Sequence, residues 1–317
     1  MQKSKNFSKS NIYSAFVISF AVFVIYGLVS KLIYGDKILS LLYLLWKNIF
    51  IGIIIISISY IFRYLRWRFL MSNIGFKPPI FKDIFNWLAS FAFTATPGKL
   101  GELIRINFLY SDFKIPRSLT FSLIVIEKIS DLLSVFILLI FNIGSYPILS
   151  SKLNLNYFLF IGALLIGFII FFRRYISFKF VKKIIPIYIY EKSISAFYSI
   201  KLLLKLDIIV ISLLLGIFAW FIECFSLFIL VSGVKDFYLS VSESIFTHAS
   251  STLLGVISMI PGGIGASELT SSNILTYFGI SLDSAIVLSF ILRLITIWYA
   301  TMIGFLFLFI RKFISKN

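Results

Sequence analysis

The feature that most limits what this chain can become is a succession of apolar runs, two of which are cut by a proline–glycine step. Continuous runs lie at about 12–34, 48–66, 118–143, 156–173, 207–231 and 284–310. A helix of roughly 18 or more such residues covers about 30 Å, the hydrocarbon thickness of a bilayer. Residues 84–110 are interrupted by TPGKLGE, and residues 244–278 by IPGGIGASE. A proline inside a helix removes a donor and frees backbone groups. In hydrocarbon such a break is tolerated only where it is buried in protein or faces water. The expected fold is an all-α polytopic membrane protein with about six full transmembrane helices and two re-entrant broken-helix hairpins. The alternative is short full spans at the hairpins and a count of eight spans. Composition agrees: 60% of residues are hydrophobic and 14% charged, where a soluble domain carries about a quarter charged.

The formal charge of +17 is spread in short stretches between apolar runs and does not form a basic domain. That distribution argues against nucleic acid as a partner and for the positive-inside rule. The lone Cys224 and lone His248 exclude a disulfide framework and the usual zinc ligand sets, and no cofactor is expected. Lys3, Lys5 and Lys9 precede the first run, which lacks a small-residue cleavage site and reads as an anchor. With both termini cytoplasmic and each hairpin returning to its own side, about 21 of the 30 lysines and arginines lie inside. That inside set includes Arg63, Arg66 and Arg68, and the outside set is Lys31, Lys37, Lys47, Lys152 and Lys235.

The two halves resemble each other. Each has an apolar half-helix, Pro-Gly, a further glycine and a glutamate, then a long run with a cation near its start (Lys128 and Arg293). Such paired breaks in inverted halves mark the central site of many transporters. The chain is read as one membrane domain, 1–317, with repeats at about 80–145 and 244–311 and a basic cytoplasmic segment at 173–205.

Charges inside apolar runs cost roughly 2.5–3.5 kcal/mol each at a helix centre. Glu102, Arg105, Glu127, Lys128, Asp131, Glu223, Glu268 and Arg293 must therefore face one another, water or a polar ligand. Glu127 and Asp131 are four apart and share a helix face. Lys99, Arg105, Lys128 and Arg293 are the candidate counter-charges. The helix N-termini created by the two breaks, with these cations, suit an anionic headgroup. A closed ion-pair network that only pins helices together is the alternative. Glu223 joins the network, carries a proton, or is a single glutamate capped by a neighbouring serine or tryptophan, and His248 is either pH-sensitive or a satisfied polar residue.

TPGKLGELIR, IEKISDLLSV, IPGGIGASE and ILRLITIWYATMIG, in this order, resemble the membrane domain of lysylphosphatidylglycerol synthases, a flippase-like region also found as stand-alone proteins. The resemblance covers about residues 10–312 and implies handling of a phospholipid or isoprenoid-linked lipid. It maps substrate-binding roles onto Pro97, Gly98, Lys99, Gly101, Glu102, Arg105, Glu127, Lys128, Asp131, Pro261, Gly262, Gly263, Gly265, Glu268 and Arg293. Lysine stands at 99 and 128 where the family more often has arginine, so charge is kept without bidentate geometry. No aminoacyl-transferring domain is recognised, so synthase activity is not implied, and neither a catalytic residue nor a metal site is expected.

The expected function is a flippase-like lipid transporter of the plasma or inner membrane, with membrane lipids as partners and a homo-oligomer or lipid-modifying enzyme as a further partner. A membrane enzyme acting on a lipid phosphate or lipid-linked sugar, and a non-catalytic accessory subunit, are the competing readings.

Overall fold

The computed structural model describes residues 24, 35, 39–146, 167, 196, 198–235 and 237–314, with the side chains of 97–100 and 312–314 excepted. The runs at 12–34 and 156–173, and nearly all of the basic segment at 173–205, lie outside the described residues. Among the described residues the secondary structure is helical throughout. Helix α1 (Trp46–Asn73) ends in a glycine-terminated turn, with Gly75 at φ 85° and the Phe76 N–H donating back to the Met71 carbonyl. Pro79 then precedes α2 (Ile80–Ala89), which tightens into a 3₁₀ turn at Ser90–Phe93. Pro97 opens a second 3₁₀ stretch, Pro97–Ile104, which continues as α3 (Arg105–Phe113). Helix α4 (Arg117–Phe141) follows Pro116.

The second half begins with α5 (Leu206–Val231) and then α6 (Val241–Ile257), whose start is fixed by a Ser240–Glu243 capping box. A 3₁₀ turn at Pro261–Gly263 breaks the chain before α7 (Ala266–Tyr277). Helix α8 (Leu282–Arg293) runs through a π-helical segment, Leu294–Trp298, into α9 (Tyr299–Ile314).

Three helical stretches among the described residues are long and apolar enough to cross a membrane: Trp46–Asn73, Leu206–Val231 and Leu282–Arg311. Helix α4 has the length, at 25 residues, but carries Glu127, Lys128 and Asp131 in its middle. The outward faces are oily. Phe50, Ile54, Ile58, Ile61 and Leu65 are exposed on α1, as are Leu214, Phe218 and Phe221 on α5 and Met302, Leu306 and Phe309 on α9. Faces of this kind are stable when lipid is the solvent.

The order helix, break, helix, long helix occurs twice, and the two units interlock. Helix α2 packs on α9, and α6 packs on α4, so each hairpin leans on the long helix of the other unit. Helices α1 and α5, which precede the hairpins, pair with each other through the middle. The two arms of the first hairpin are joined at their outer ends, where Asn86 donates to Asp112 at 2.9 Å and Arg311 reaches both residues. Arg68 at the end of α1 meets Asp83 at that same end. The second hairpin is anchored at the opposite end of the molecule. There Tyr146 stacks with Phe246, Tyr277 and Phe278, and Ser242 donates to Asn142 at the end of α4. The broken segments themselves pack against each other between these ends.

Candidate functional site

The first break is locked to its neighbours by charge. Glu102 accepts from Lys128 at 2.6 Å, and Arg105 donates to Glu127 at 2.7 Å, so two pairs tie the break to α4. The Arg105 guanidinium also lies 4.0 Å from the centre of the Trp67 ring on α1, a cation–π contact that covers its apolar face. Gly101 is required here: its N–H bonds to the Thr96 hydroxyl at 2.6 Å, and a built Cβ would lie 2.6 Å from that of Phe93.

Beside this break α1 contributes two arginines. Arg66, fully buried, donates to Asp131 at 2.8 Å and approaches Glu127 at 4.0 Å, so the two carboxylates four residues apart do share a face and a partner. Arg63 reaches Glu223 at 2.5 Å and Asp131 at 3.4 Å, and its guanidinium stacks 4.3 Å from the centre of the Trp220 ring. Asp131 Oδ1 thus accepts from Arg63, Arg66 and the Trp220 indole N–H. Gly216 on α5 makes room for this arrangement, because a built Cβ there would lie 2.8 Å from Arg66 Nη1. Four cations (Arg63, Arg66, Arg105, Lys128) stand against four carboxylates (Glu102, Glu127, Asp131, Glu223). Among the described side chains the charges of this centre balance.

Around the second break the chemistry is local. Glu268 accepts from the Gly265 N–H at 2.8 Å, capping its own helix, and pairs with Arg293 at 3.3 Å. The helix N-terminus expected to attract an anion is therefore already occupied by the protein's own carboxylate. Gly262, Gly263 and Gly265 all take positive φ (63°, 65° and 84°), which a side chain would strain. Pro261 starts the turn.

Two adjoining cavities lie along the meeting line of the breaks. One, about 530 Å³ counted to its open mouth, is lined by Arg63, Glu102, Glu127, Lys128, Asp131 and Tyr60 among others. The other, about 470 Å³, is lined by His248, Thr252, Gly262, Gly263, Ser267 and Arg293 among others. Thr94, Glu223, Thr296 and Ile297 line both and form the partition. Thr296 and Ile297 belong to the π-helical segment, a widened turn of a kind often retained at functional sites.

The sequence-derived candidates thus fall into two groups. Gly101, Glu102, Arg105, Glu127, Lys128 and Asp131 are gathered at the first break. Pro261, Gly262, Gly263, Gly265, Glu268 and Arg293 are gathered at the second, where Glu268 and Arg293 pair with each other. Pro97, Gly98 and Lys99 lie in the 3₁₀ stretch, with the Lys99 side chain outside the described atoms. Arg63 and Arg66 were missed as site residues and assigned to the cytoplasmic face. The apolar run stops at Arg66, but no helix-stopping residue occurs before Gly75, so α1 continues for two turns, with Arg66 buried and Arg63 partly buried. Glu223 joins the network, and His248 faces it, with Nε2 3.6 Å from Glu223 Oε1.

The family model described as the lysylphosphatidylglycerol synthase TM region matches residues 11–304. A curated relative, a UPF0104 membrane protein of Methanothermobacter thermautotrophicus, is 28% identical over 96 residues. That alignment covers 30% of this chain and 28% of the relative's length. No solved structure matches the chain.

Proposed function

The chain belongs to the lysylphosphatidylglycerol synthase TM region family, and we propose that it is a flippase-like transporter of a lipid with a phosphate-containing headgroup. The observation that carries this reading is the meeting of two broken hairpins, anchored at opposite ends, beside two polar cavities in an otherwise oily molecule. Broken helices converging from opposite faces form a transport site when each lines a cavity. In this reading the hairpins are re-entrant, the two units form an inverted repeat, and the headgroup occupies the cavities while its tails stay in the bilayer. Relative movement of the units opens the site to each leaflet in turn.

The ion pairs support a moving partition. Each described cation of the first centre is held by a carboxylate and can exchange partners as the breaks shift. A charged headgroup then substitutes for a protein charge, which avoids leaving a buried ion alone. Membership of a membrane family and the apolar outer faces agree with residence in a bilayer; the plasma or inner membrane, with cytoplasmic termini, is our assignment from the lysine and arginine distribution. Acid–base catalysis by Glu127 and Asp131 is disfavoured, because both are tied to arginines as acceptors.

The test is translocation of a fluorescent phospholipid in vesicles containing the purified protein. Wild-type protein should move the lipid, whereas Glu102→Gln and Arg105→Ala should reduce movement to the level of empty vesicles. Wild-type movement in both variants would remove the first break from the site.

A further inference from the structure

Two buried polar side chains on the second hairpin have no hydrogen-bond partner. His248 on α6 is 4% exposed and neither ring nitrogen is bonded; Ser267 on α7 is 2% exposed and its hydroxyl is unbonded. Both line the cavity that contains Arg293, Thr252 and the positive-φ pair Gly262–Gly263. Buried polar atoms are nearly always paired, so two orphans in one cavity mark the place of a missing partner. A partner that accepts hydrogen bonds suits this cavity, since a serine, a histidine and an arginine line it. Arg293 lines the cavity and holds Glu268 through Nε at 3.3 Å. Oxyanions match a guanidinium fork with hydroxyl and imidazole donors, and the arginine opposes an amine.

The surrounding charges fix how the imidazole can donate. Glu223 on α5 lies 3.6 Å from His248 Nε2 and is itself held by Arg63 of α1. Arg293 faces the cavity from α8, with Glu268 of α7 behind it. Asp131 of α4 bonds to Trp220, and Glu102 of the first break receives the Thr94 hydroxyl; Trp220 and Thr94 line the same cavity. A neutral ring that turns its one N–H toward Glu223 presents a lone pair at Nδ1, which repels an oxyanion. A protonated ring donates at both nitrogens, to Glu223 from Nε2 and to the ligand from Nδ1.

We propose that this second cavity seats the phosphodiester of a lipid headgroup on His248, Ser267 and Arg293, and that seating it takes one proton from solution onto His248. The proposal rests on the transport reading for the source of the ligand, but not for its chemistry. It makes the second cavity the recognition site and the charge network of the first cavity its neutral neighbour. It also makes each loading event a proton-binding event.

The experiment is titration calorimetry of the full chain in neutral detergent, with short-chain phosphatidylglycerol as the probe. The matching diacylglycerol and inorganic phosphate are the controls. Affinity should rise as pH falls. Repeating the titration in buffers of different ionisation enthalpy should report about one proton taken up per lipid bound. Ser267→Ala should weaken binding about tenfold or more while leaving the thermal midpoint unchanged or raised, because it removes an unbonded hydroxyl. His248→Gln keeps a polar side chain and should abolish both the proton uptake and the pH dependence.

PH-independent binding, or wild-type affinity in both variants, would overturn the site. Equal binding of the diacylglycerol would overturn it too, since no phosphate would be read. Binding of inorganic phosphate alone, with the same dependence on His248, would overturn the lipid as its source. Lipid movement in vesicles alongside unchanged affinity in the variants would sink this site and spare the transport reading. Proton-linked binding by a protein that moves no lipid would do the reverse.

Discussion

The two breaks are built from the same residue types and held by different forces. At the first, charged side chains reach outward to other helices: Glu102 to Lys128, Arg105 to Glu127 and across Trp67. At the second, a glutamate turns back onto its own backbone and three glycines supply the bend. The first break therefore leans mainly on tertiary ion pairs, and the second combines local geometry with the Glu268–Arg293 pair. Buried ion pairs give directionality at a heavy cost if one member is lost. Local caps and positive-φ turns hold a shape without closing off the space beside them.

Substitutions can break the comparison, beginning where the first region is most dependent on pairing. Asp131→Ala strands the fully buried Arg66 and one side of Arg63, and should cost about 3–5 kcal/mol. The buried Cys224 is a convenient reporter, since a thiol-reactive dye labels it only on unfolding, and the thermal midpoint should fall. An unchanged midpoint would mean that the network is not what holds α1, α4 and α5 together.

Gly304→Ala comes next. A Cβ on Gly304 of α9 would collide with the backbone of Phe91 and Ala92, which cannot move aside as a side chain can. Overpacking of this kind should cost about 1–3 kcal/mol in the same assay. Glu268→Ala should cost about 1 kcal/mol through loss of the cap. Glu268→Gln should cost less, because an amide oxygen still accepts from the Gly265 N–H. An equal loss in both would assign the effect to the Arg293 pair instead.

The smallest effect is expected at Gly255 of α6, where a Cβ would meet the Ser267 hydroxyl rather than backbone. Alanine favours a helix over glycine by about 1 kcal/mol, and the hydroxyl can turn away, so stability should stay within about 0.5 kcal/mol. A large loss there would show that the second hairpin is as tightly fixed as the first.

Much of this was legible in the residues. TPGKLGE and IPGGIGASE fall where the helices break, because proline and positive-φ glycine act on their own neighbours and need no partner. The i,i+4 spacing of Glu127 and Asp131 sufficed to predict a shared face, but the counter-charges expected from sequence did not include Arg66, the partner they share. Arg63 and Arg66 were misread because an apolar run is a poor ruler for a helix: hydropathy ends at a charge, whereas α1 runs on to Asn73, just before the Gly75 turn. The capping role of Glu268 had a signal, a glutamate three residues after Gly265, but the same residue also fitted a binding motif.

By itself the sequence determined the solvent, the two break points and the set of charges that could not face lipid. Those follow from local hydropathy, backbone stereochemistry and the cost of a bare charge in hydrocarbon. Only the tertiary structure decided which charges pair. Arg63 and Glu223 are 160 residues apart, and Arg66 and Asp131 are 65 apart. Such pairs depend on how α1 and α5 cross between the two units. The same packing balanced the first centre and left His248 and Ser267 facing an open cavity, because a side chain's partner is set by what folds against it.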